Sequence, residues 1–437
     1  MPSRVYIETF GCQMNVADSE LIVGILAGHG FVRVEAVENA DVALVNTCAV
    51  REKAEERVFG RLGWLKHLKE NQPYLVVGVV GCMAEHLREA LVKRAPHVNV
   101  LAGPDSYRRL PKLIAEAQAG AGIAMIDVRL DNKELYEGLD PVRVSGINTW
   151  IPIMRGCDKF CTFCVVPYTR GRERSVSSEE ILSQAKGAVA VGFKEVTLLG
   201  QAVSSYKTDE CDFPQLLEKL DQIVGLKRIR YTAPYPSDID DRLLGVLAKL
   251  KRVEHHIHLP VQSGSKRILE DMRRGYSAED YLALTKRIEK QLPGFAMTTD
   301  LIVGYPGETD EDFQATLDLV AEVKFDSAFM FKYSERSGTW AAKHRQDNVP
   351  EEIKSERLSK LIALQEENSK ARNTSMIGQH VDVLVEGFNP RDKSQKMGRT
   401  SCNKPTVLDG KHDIGDMVRA KVHSSTTHTL FASAAEE

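Results

Sequence analysis

The sequence predicts an α/β protein made of a parallel sheet, a longer run of six strand–helix units and a small antiparallel barrel. In residues 1–118, four apolar runs of strand length each precede a helical pattern, and this alternation is typical of a parallel sheet covered on both faces. Residues 149–348 contain six more such units, and residues 375–437 contain short alternating strands separated by turns, which favour a small barrel. Residues 119–148 lack a long periodic element and predict a linker, and residues 349–374 predict a connector helix.

The strands and helices of this fold can be placed from the apolar periodicity. In the first unit, strands are expected at residues 5–10, 42–46, 75–80 and 98–102, and helices at 18–27, 51–69, 85–94 and 110–117. In the second unit, strands are expected at residues 149–155, 195–199, 228–233, 256–262, 297–304 and 328–333. In the last unit, Val381, Val383 and Val385 alternate with polar residues, and residues 417–422 alternate in the same way.

Length and composition limit the class of protein. A chain of 437 residues normally forms two or three domains, and 43% hydrophobic with 27% charged residues is ordinary for a globular protein. The net charge of −3 gives no global attraction to nucleic acid, so an RNA partner would have to be met by local basic patches. No apolar run reaches the roughly 20 residues that span a bilayer, and the first residues do not resemble a signal peptide. We therefore expect a cytoplasmic protein with no membrane partner.

The chemistry is expected to centre on the loop after the first strand of the second unit. Three cysteines, Cys157, Cys161 and Cys164, are spaced C-x3-C-x2-C on this loop. Three thiolates can hold three irons of a cubane iron–sulfur cluster and leave the fourth iron open to another ligand. A closed zinc site needs four ligands, usually as two C-x2-C pairs, and no second pair follows here. The spacing therefore favours an iron–sulfur cluster, with a structural metal knuckle as the alternative.

Three further cysteines, Cys12, Cys48 and Cys82, each lie one or two residues past the end of a predicted strand. The carboxyl ends of parallel strands share one edge of the sheet, where ligand crevices form, so these thiols should converge. In a reducing cytosol they are expected to be ligands, and together they predict a second cluster, although each one alone could be a small core residue. Cys211 and Cys402 are interpreted as incidental thiols.

Around Cys157 the sequence resembles the radical S-adenosylmethionine (SAM) superfamily, whose signature has this spacing and an aromatic residue just before the third cysteine, here Phe163. The resemblance implies that SAM chelates the open iron, that an electron cleaves it to a 5′-deoxyadenosyl radical, and that the six strand–helix units form a partial TIM-type barrel. It places Phe163 near the adenine, with plain packing as the alternative. It also assigns Gly200 and Gln201 to the SAM amino group, next to Ala202 and Ser204, where the family usually shows Asn.

Other residues at the ends of the predicted strands are candidates for positioning ligands. Gln262 and Ser263 could hydrogen-bond SAM or a base edge, or they could cap their strand. Asp300 and Glu308 are acidic candidates without a visible partner. The histidines at 255, 256 and 258 alternate between the two faces of a strand, so packing is favoured over a metal site.

The ordered combination of both cysteine triads and a terminal barrel resembles the methylthiotransferase family. The resemblance implies two 4Fe–4S clusters held by the six cysteines, with SAM as methyl donor and radical source. It also implies a Rossmann-like auxiliary-cluster domain at 1–118, a radical SAM barrel at 149–348 and a TRAM RNA-binding domain at 375–437. The motifs CTFCVVPYTRG (161–171), LLGQ (198–201) and HLPVQSGS (258–265) are most like the branch that adds a methylthio group to C2 of N6-dimethylallyladenosine beside the tRNA anticodon.

Three alternatives remain open from the sequence. Two are enzymatic, namely methylthiolation of threonylcarbamoyl-adenosine in tRNA and of an aspartate in a ribosomal protein. The third is a noncatalytic RNA-binding protein with structural metal sites. Testing each substrate for a mass gain of CH2S would separate the two enzymatic alternatives, and iron and sulfide analysis with a SAM cleavage assay would separate both from the third.

The resemblance implies three partners: a tRNA anticodon stem–loop, an electron donor and a sulfur source. The protein itself is expected to be a monomer. Basic residues at the rim of the cavity and in the terminal barrel could contact phosphates, and Trp340 could stack a base. The candidates are Arg170, Arg172, Arg336, Trp340, Arg399, Lys404, Arg419 and Lys421. For each charge, an ordinary solvated surface position is the alternative.

Overall fold

A computed structural model describes residues 2–49, 52–120, 124–143 and 146–435, and it confirms the α/β class. The N-terminal part has a six-stranded parallel sheet with helices on both faces. Its elements are β1 (Arg4–Phe10), α1 (Gln13–Ala27), β2 (Val32–Arg33), β3 (Val42–Thr47), α2 (Glu52–Asn71), β4 (Val76–Gly81), α3 (Cys82–Leu87), α4 (Glu89–Arg94), β5 (Val100–Ala102), α5 (Leu110–Gln118) and β6 (Met125–Asp127). The spatial order is β2-β1-β3-β4-β5-β6.

The central strands of this sheet form because their side chains are buried on both faces. Every residue of β3 and β4 is buried, and the valine- and leucine-rich runs face one apolar cluster on each side of the sheet. The helix expected at 85–94 is instead two helices, because Arg88 between them has a positive φ of 49°. Residue 51, where the preceding helix was expected to begin, lies outside the described residues.

Residues 119–148 differ from the plain linker that the sequence predicts. Met125–Asp127 forms β6, which pairs in parallel with β5 and adds a strand to the edge of the sheet. Tyr136 is buried against the same core, where its hydroxyl donates to the carbonyl of Pro104 at 2.8 Å. This segment therefore belongs structurally to the N-terminal sheet before it crosses to the next unit.

The central part contains the six predicted strands, all parallel to their neighbours, and confirms the six strand–helix units. Its elements are β7 (Asn148–Pro152), β8 (Met154–Arg155), α6 (Val166–Thr169), β9 (Arg174–Ser175), α7 (Ser178–Ala190), β10 (Glu195–Leu199), α8 (Phe213–Asp221), β11 (Arg228–Tyr231), α9 (Asp241–Lys249), β12 (His256–His258), α10 (Lys266–Asp271), α11 (Ala278–Gln291), β13 (Ala296–Val303), α12 (Asp310–Val323), β14 (Ser327–Lys332) and α13 (Trp340–His344). The six parallel strands form two sheets, β11-β10-β7 and β12-β13-β14, and a bridge from Ile229 to Val253 continues the curve between them. The short strands β8 and β9 pair antiparallel in a separate two-stranded sheet.

The C-terminal part is a long helix followed by a closed barrel. It consists of α14 (Glu351–Thr374), β15 (His380–Phe388), β16 (Lys396–Thr400), β17 (Pro405–Asp409), β18 (Met417–Ser425) and β19 (Leu430–Ala434), and the barrel order is β15-β16-β17-β19-β18. Alternate residues point inward as expected, so Ala420 and Val422 are buried while Arg419 and Lys421 are exposed. Among the described residues, no helix is long and apolar enough to cross a membrane.

This barrel packs against the end of the central unit where the parallel strands begin. Arg228, the first residue of β11, donates to the carbonyls of Arg399 and Asp382 at 2.6 and 2.8 Å. Lys404 forms an ion pair of 2.6 Å with Asp326, which immediately precedes β14. The loop that carries Cys157, Cys161 and Cys164 follows the opposite end of the first central strand, so the barrel packs on the end of the central unit that lies away from these cysteines.

Candidate active site at two cysteine triads

The first triad lies at the carboxyl ends of three adjacent strands of the N-terminal sheet. Cys12 follows β1, Cys48 follows β3 and Cys82 follows β4, and these strands are neighbours in the order β1-β3-β4. Cys48 and Cys82 are buried, whereas Cys12 is exposed. A hydrogen bond with Cys48 lowers the pKa of Cys12 to about 5, with help from the nearby cation of Arg170 and against the effect of burial. Cys12 and Cys48 are therefore in contact, and Cys82 is close enough for its thiol to interact electrostatically with Cys12, as the expected convergence requires.

Buried amides and a glycine shape the loops that carry the first triad. The side chain of Asn15, fully buried, donates to the side chain of Asn46 and to the carbonyl of Thr47, both at 3.1 Å. Gly81 has a φ of 93°, and a Cβ there would meet the Thr47 carbonyl oxygen at 2.6 Å. Sequence reasoning did not find Asn15 or Asn46, although Asn15 lies three residues after Cys12 and Asn46 lies two residues before Cys48.

Arg170 connects the first triad to the central unit, which corrects its expected role as an RNA phosphate contact. It is buried, its Nε donates to the Sγ of Cys82 at 3.1 Å, and its Nη2 donates to Asp18 at 2.8 Å. Asp18 is fully buried and also accepts from Arg155 at 3.0 Å. Because its guanidinium lies between a carboxylate and a thiol, Arg170 offers no exposed surface to an RNA phosphate. Asp18 was not found from the sequence, because nothing in a helical pattern marks a buried carboxylate.

The second triad lies on the loop between β8 and α6. Cys161 is buried, and Cys157 and Cys164 are half-buried. Burial raises the pKa of Cys157 to about 11 and that of Cys164 to about 12, and the other thiols of the triad act in the same direction. Gly156 enters the loop with a φ of 78°, and a Cβ at this position would collide with the backbone carbonyl of Arg172. The three thiols are thus brought together on a loop whose entry requires glycine.

A buried arginine also contacts the second triad. Arg274 donates from Nη1 to the Sγ of Cys161 at 3.2 Å, from Nε to the hydroxyl of Tyr276 at 2.8 Å, and from Nη2 to the carbonyl of Pro260 at 2.7 Å. Its guanidinium also lies 4.6 Å from the ring centre of Tyr235. Sequence reasoning missed Arg274, and the only signal was its place in a basic pair after α10.

The donor set suits a cubane cluster better than one metal ion. Among the described residues, no three His, Cys, Asp or Glu side chains converge closely enough to hold a single ion. A cubane cluster has its thiolates on different irons, so its ligands surround a volume and do not meet at a point. Arg170 Nη1 is buried and has no hydrogen-bond partner in the described structure, as is expected of a donor beside an absent anionic group. The residues present therefore fit two such clusters.

The expected SAM-binding residues divide into two groups. Gly200 lies at the end of β10, where a Cβ would meet the Met154 side chain at 2.6 Å, and Gln201 next to it has a buried side-chain oxygen without a partner in the described structure. Both are consistent with a ligand wall. Phe163 is half-buried and packs against the cluster that contains Met272 and Tyr305, so the packing alternative has direct support.

Gln262 and Ser263 have different surroundings from each other. Gln262 adopts a φ of 79° and its backbone pairs with β13, accepting from Ile302 and donating to the carbonyl of Asp300. The hydroxyl of Ser263 is fully buried and lies 3.3 Å from the hydroxyl of Thr316. It also accepts a hydrogen bond from the backbone N–H of Ser265 at 3.1 Å. The structure thus corrects the ligand role of Ser263 to that of a strand cap, because its hydroxyl is already used inside the fold.

The remaining candidates beside this site are buried or are bonded to other side chains. Ala202 is buried, and the hydroxyl of Ser204 donates to Asp238 at 3.0 Å. Asp300 lies 3.3 Å from His258, and the buried Glu308 accepts from Arg357 at 2.8 Å. These contacts describe structural pairs, and Glu308 in particular anchors α14 to the central unit.

The RNA candidates lie at several places on the molecule. Arg172 is exposed and forms an ion pair with Asp158. Arg336 is half-buried and has contacts within the protein. The ring of Trp340 stacks on that of His344 at 4.6 Å, and the guanidinium of Arg273 lies over the same ring. In the terminal barrel, Arg399 is half-buried and bonded to Asn403, while Arg419 pairs with Asp382 and Lys421 is exposed. Lys404 is buried in its ion pair with Asp326, so its expected phosphate contact is corrected to a contact that docks the barrel.

Three family models match the chain in the order of its structural parts. "Uncharacterized protein family UPF0004" matches residues 4–103, "Radical SAM superfamily" matches residues 151–320, and "TRAM domain" matches residues 374–435. The first model covers all three cysteines of the first triad, and the second covers all three of the second triad.

Curated relatives align over nearly the whole chain. A tRNA-2-methylthio-N(6)-dimethylallyladenosine synthase of Porphyromonas gingivalis is 45% identical over 99% of this chain and 95% of its own length. Proteins of the same description are 46% identical in Bacteroides thetaiotaomicron, over 98% of this chain and 95% of the relative, and 45% identical in Chlorobium phaeobacteroides, over 100% and 98%.

Two similar solved structures support the fold alone. The radical S-adenosylmethionine methyltransferase TsrM from Kitasatospora setae, solved with cobalamin and a [4Fe-4S] cluster, has a TM-score of 0.54 at 14% identity, covering 76% of this chain and 75% of that one. The cobalamin-dependent S-adenosylmethionine radical enzyme OxsB has a TM-score of 0.52 at 13% identity, covering 84% and 56%.

Proposed function

Because this chain belongs to the family of tRNA-2-methylthio-N(6)-dimethylallyladenosine synthases, we propose that it adds a methylthio group to C2 of N6-dimethylallyladenosine next to the anticodon of tRNA. The observation that carries this function is identity of about 45% over the full length, in a chain whose six candidate cysteines gather as two triads. The protein is a radical SAM enzyme, and tRNA is its substrate.

Two 4Fe–4S clusters and SAM are the cofactors, and when bound they supply the sulfur-bearing site, the methyl group and the radical that removes hydrogen from the base. We assign Cys12, Cys48 and Cys82 to the auxiliary cluster and Cys157, Cys161 and Cys164 to the SAM-binding cluster. Gly200, Gln201 and Gln262 are proposed to line the SAM site, and Phe163 is proposed to lie near the adenine of SAM. Among the described residues the buried side-chain oxygen of Gln201 has no hydrogen-bond partner, which supports its proposed role as an acceptor for a donor of the cofactor.

The chain's own residues keep the two triads in one arrangement. Asp18 from the N-terminal sheet bonds both Arg155 and Arg170, which flank the second triad in the sequence, so a buried ion network fixes one unit against the other. An ion network without solvent has little freedom to shift, since breaking one partner leaves a buried charge. We propose that this network sets the distance between the two clusters and excludes water from the space between them.

The anticodon stem–loop is the proposed part of tRNA that enters the site, because an unpaired loop can extend a base outward at low cost. Arg172, Arg336 and Trp340 are the proposed contacts near the cysteines, and Arg419 and Lys421 are the proposed contacts on the outer face of the terminal barrel. An electron donor and a sulfur source complete the partners, and we propose a monomer that works in the cytoplasm.

The test compares a Cys48→Ala variant with a Cys402→Ala control, which removes a thiol outside both triads. After anaerobic reconstitution, wild type and control should hold roughly eight irons per chain, and Cys48→Ala should hold roughly four. Cys48→Ala should still cleave SAM but should leave dimethylallylated tRNA unmodified, whereas wild type adds a mass of CH2S. Full methylthiolation by Cys48→Ala would contradict the auxiliary-cluster assignment. A wild-type protein that acts only on threonylcarbamoylated tRNA or a ribosomal protein would move the function to another branch.

A further inference from the structure

Each cysteine triad has one buried guanidinium group hydrogen-bonded to one of its sulfurs. Arg170 donates to Cys82 at 3.1 Å and Arg274 donates to Cys161 at 3.2 Å. Both arginines are at most 5% exposed. Burying a cation costs free energy unless an anion compensates its charge, so each of these two arginines needs a negative partner nearby. Their electrostatic surroundings, however, are different.

The positive charge of Arg170 is partly compensated inside the protein, because a carboxylate lies in direct contact with it. The fully buried carboxylate of Asp18 accepts from it at 2.8 Å. Arg155 shares the same carboxylate from the other side at 3.0 Å. One negative charge is thus divided between two guanidinium groups. Cys82 faces a cation that has a carboxylate in direct contact with it, and the field of this cation on the sulfur is weaker than that of a cation with no carboxylate beside it.

The positive charge of Arg274 has no such compensation. Its other hydrogen-bond partners are the neutral hydroxyl of Tyr276 and the carbonyl of Pro260, and the rings of Tyr235 and Tyr276 lie beside it at 4.6 and 5.3 Å. In the part of the chain that the structure describes, no Asp or Glu oxygen lies within ion-pair distance of this guanidinium. The anion that balances Arg274 is therefore to be found on the thiolate side.

We propose that Arg274 is a positioning residue that raises the reduction potential of the centre held by the second triad, and that it does so more strongly than Arg170 does at the first triad. The inference rests on the proposed function. A reduction adds one electron to the centre from an external one-electron donor and makes its charge more negative, with no bond broken and no proton released. A nearby uncompensated cation and an N–H donor on the sulfur both stabilise that added charge. Electrons entering the enzyme are thereby directed to the centre that must cleave SAM.

The experiment uses the reconstituted full-length protein without tRNA. Arg274→Gln removes the charge, Arg274→Lys keeps it, Arg170→Gln treats the other triad, and Arg242→Gln is the control because Arg242 is an exposed partner of Asp212. Iron and sulfide content is measured first. Each protein is then titrated with a reductant and followed by electron paramagnetic resonance, and the signal that changes when SAM is added identifies the second centre.

Arg274→Gln is expected to shift that signal to lower potential, Arg274→Lys to recover part of the shift, and Arg170→Gln to cause a smaller shift of the other signal. The control should match wild type. An Arg274→Gln protein with full iron and an unchanged potential would overturn the proposal, as would equal shifts at both centres. If Arg274→Gln does not fold, Tyr276→Phe, which removes the hydroxyl that orients Nε, must lower the same potential. Wild-type protein that holds two clusters but never cleaves SAM would instead overturn the proposed function.

Discussion

Replacing Arg228 by Met should undock the terminal barrel from the central unit. Arg228 is 1% exposed, donates to the carbonyls of Arg399 and Asp382, and forms an ion pair of 3.2 Å with Glu254. Methionine keeps much of the aliphatic volume but removes the guanidinium that donates to both carbonyls. An unsatisfied buried polar group costs about 1–3 kcal/mol, and breaking a buried ion pair costs about 3–5 kcal/mol. Because Glu254 keeps a second arginine as a partner, we expect a loss of about 3–5 kcal/mol in total.

Hydrogen exchange followed by mass spectrometry measures this loss locally, at the amides of β16 and at the first residues of β11, because these strands carry the interface. Protection should fall by about two to three and a half powers of ten, since each factor of ten corresponds to about 1.4 kcal/mol. Arg242→Met, which removes an exposed ion pair with Asp212, should change protection by less than one power of ten. Unchanged protection of β16 in Arg228→Met would refute the docking role of the arginine.

Three further predictions test other parts of the molecule. The carboxylate of Glu55, whose Oε1 lies 3.9 Å from His86 Nδ1, raises the pKa of His86 above 6.5. The stability that this histidine contributes is therefore complete below that pH and is lost as the pH rises through the raised value, so His86→Gln should lower Tm more at pH 6 than at pH 8.5. Lys421→Gln should weaken tRNA binding and reduce its salt dependence by about one ion, whereas Lys404→Gln should lower stability with the salt dependence unchanged in binding titrations. Gly156→Ala should cost about 1–3 kcal/mol of strain and lower the iron content, while the helical Gly187→Ala, which meets no atom within 4 Å, should retain full iron.

The sequence predicts the strands of this protein well because burial imposes a simple pattern on them. Residues 195–199 were expected as a strand and form β10 with the same bounds, since all five side chains are buried between layers. The convergence of Cys12, Cys48 and Cys82 follows from the same logic, because parallel strands bring their carboxyl ends to one edge. A three-residue strand such as β6 has too few residues to show a period, so it was hidden in the expected linker.

Charged residues were harder to place because a sequence does not show which surface another domain will cover. Arg170 and Lys404 were predicted to be RNA contacts at the surface, yet each is buried in a contact between units. Their partners, Asp18 and Asp326, are distant in the sequence and carry no local signature. A periodicity argument can locate a face of a helix, but it cannot say that a second domain contributes the matching charge. Long-range ion pairs therefore had to come from the structure.

One end of the central unit carries the cysteines and the other end contacts the terminal barrel, and the distance between these ends constrains how tRNA can bind to both. The cysteine triads are at the carboxyl ends of the strands and the terminal barrel is at their beginnings. The eight residues of β13 span about 25 Å at a rise of about 3.3 Å per residue. An RNA that brings one base to the cysteines and a phosphate to Lys421 is therefore expected to run along the side of the central unit over a length of this order. A loop alone would leave Lys421 without a contact, so the effect of Lys421→Gln on binding should disappear when tRNA is shortened to its anticodon loop and should be retained when the adjoining stem is present.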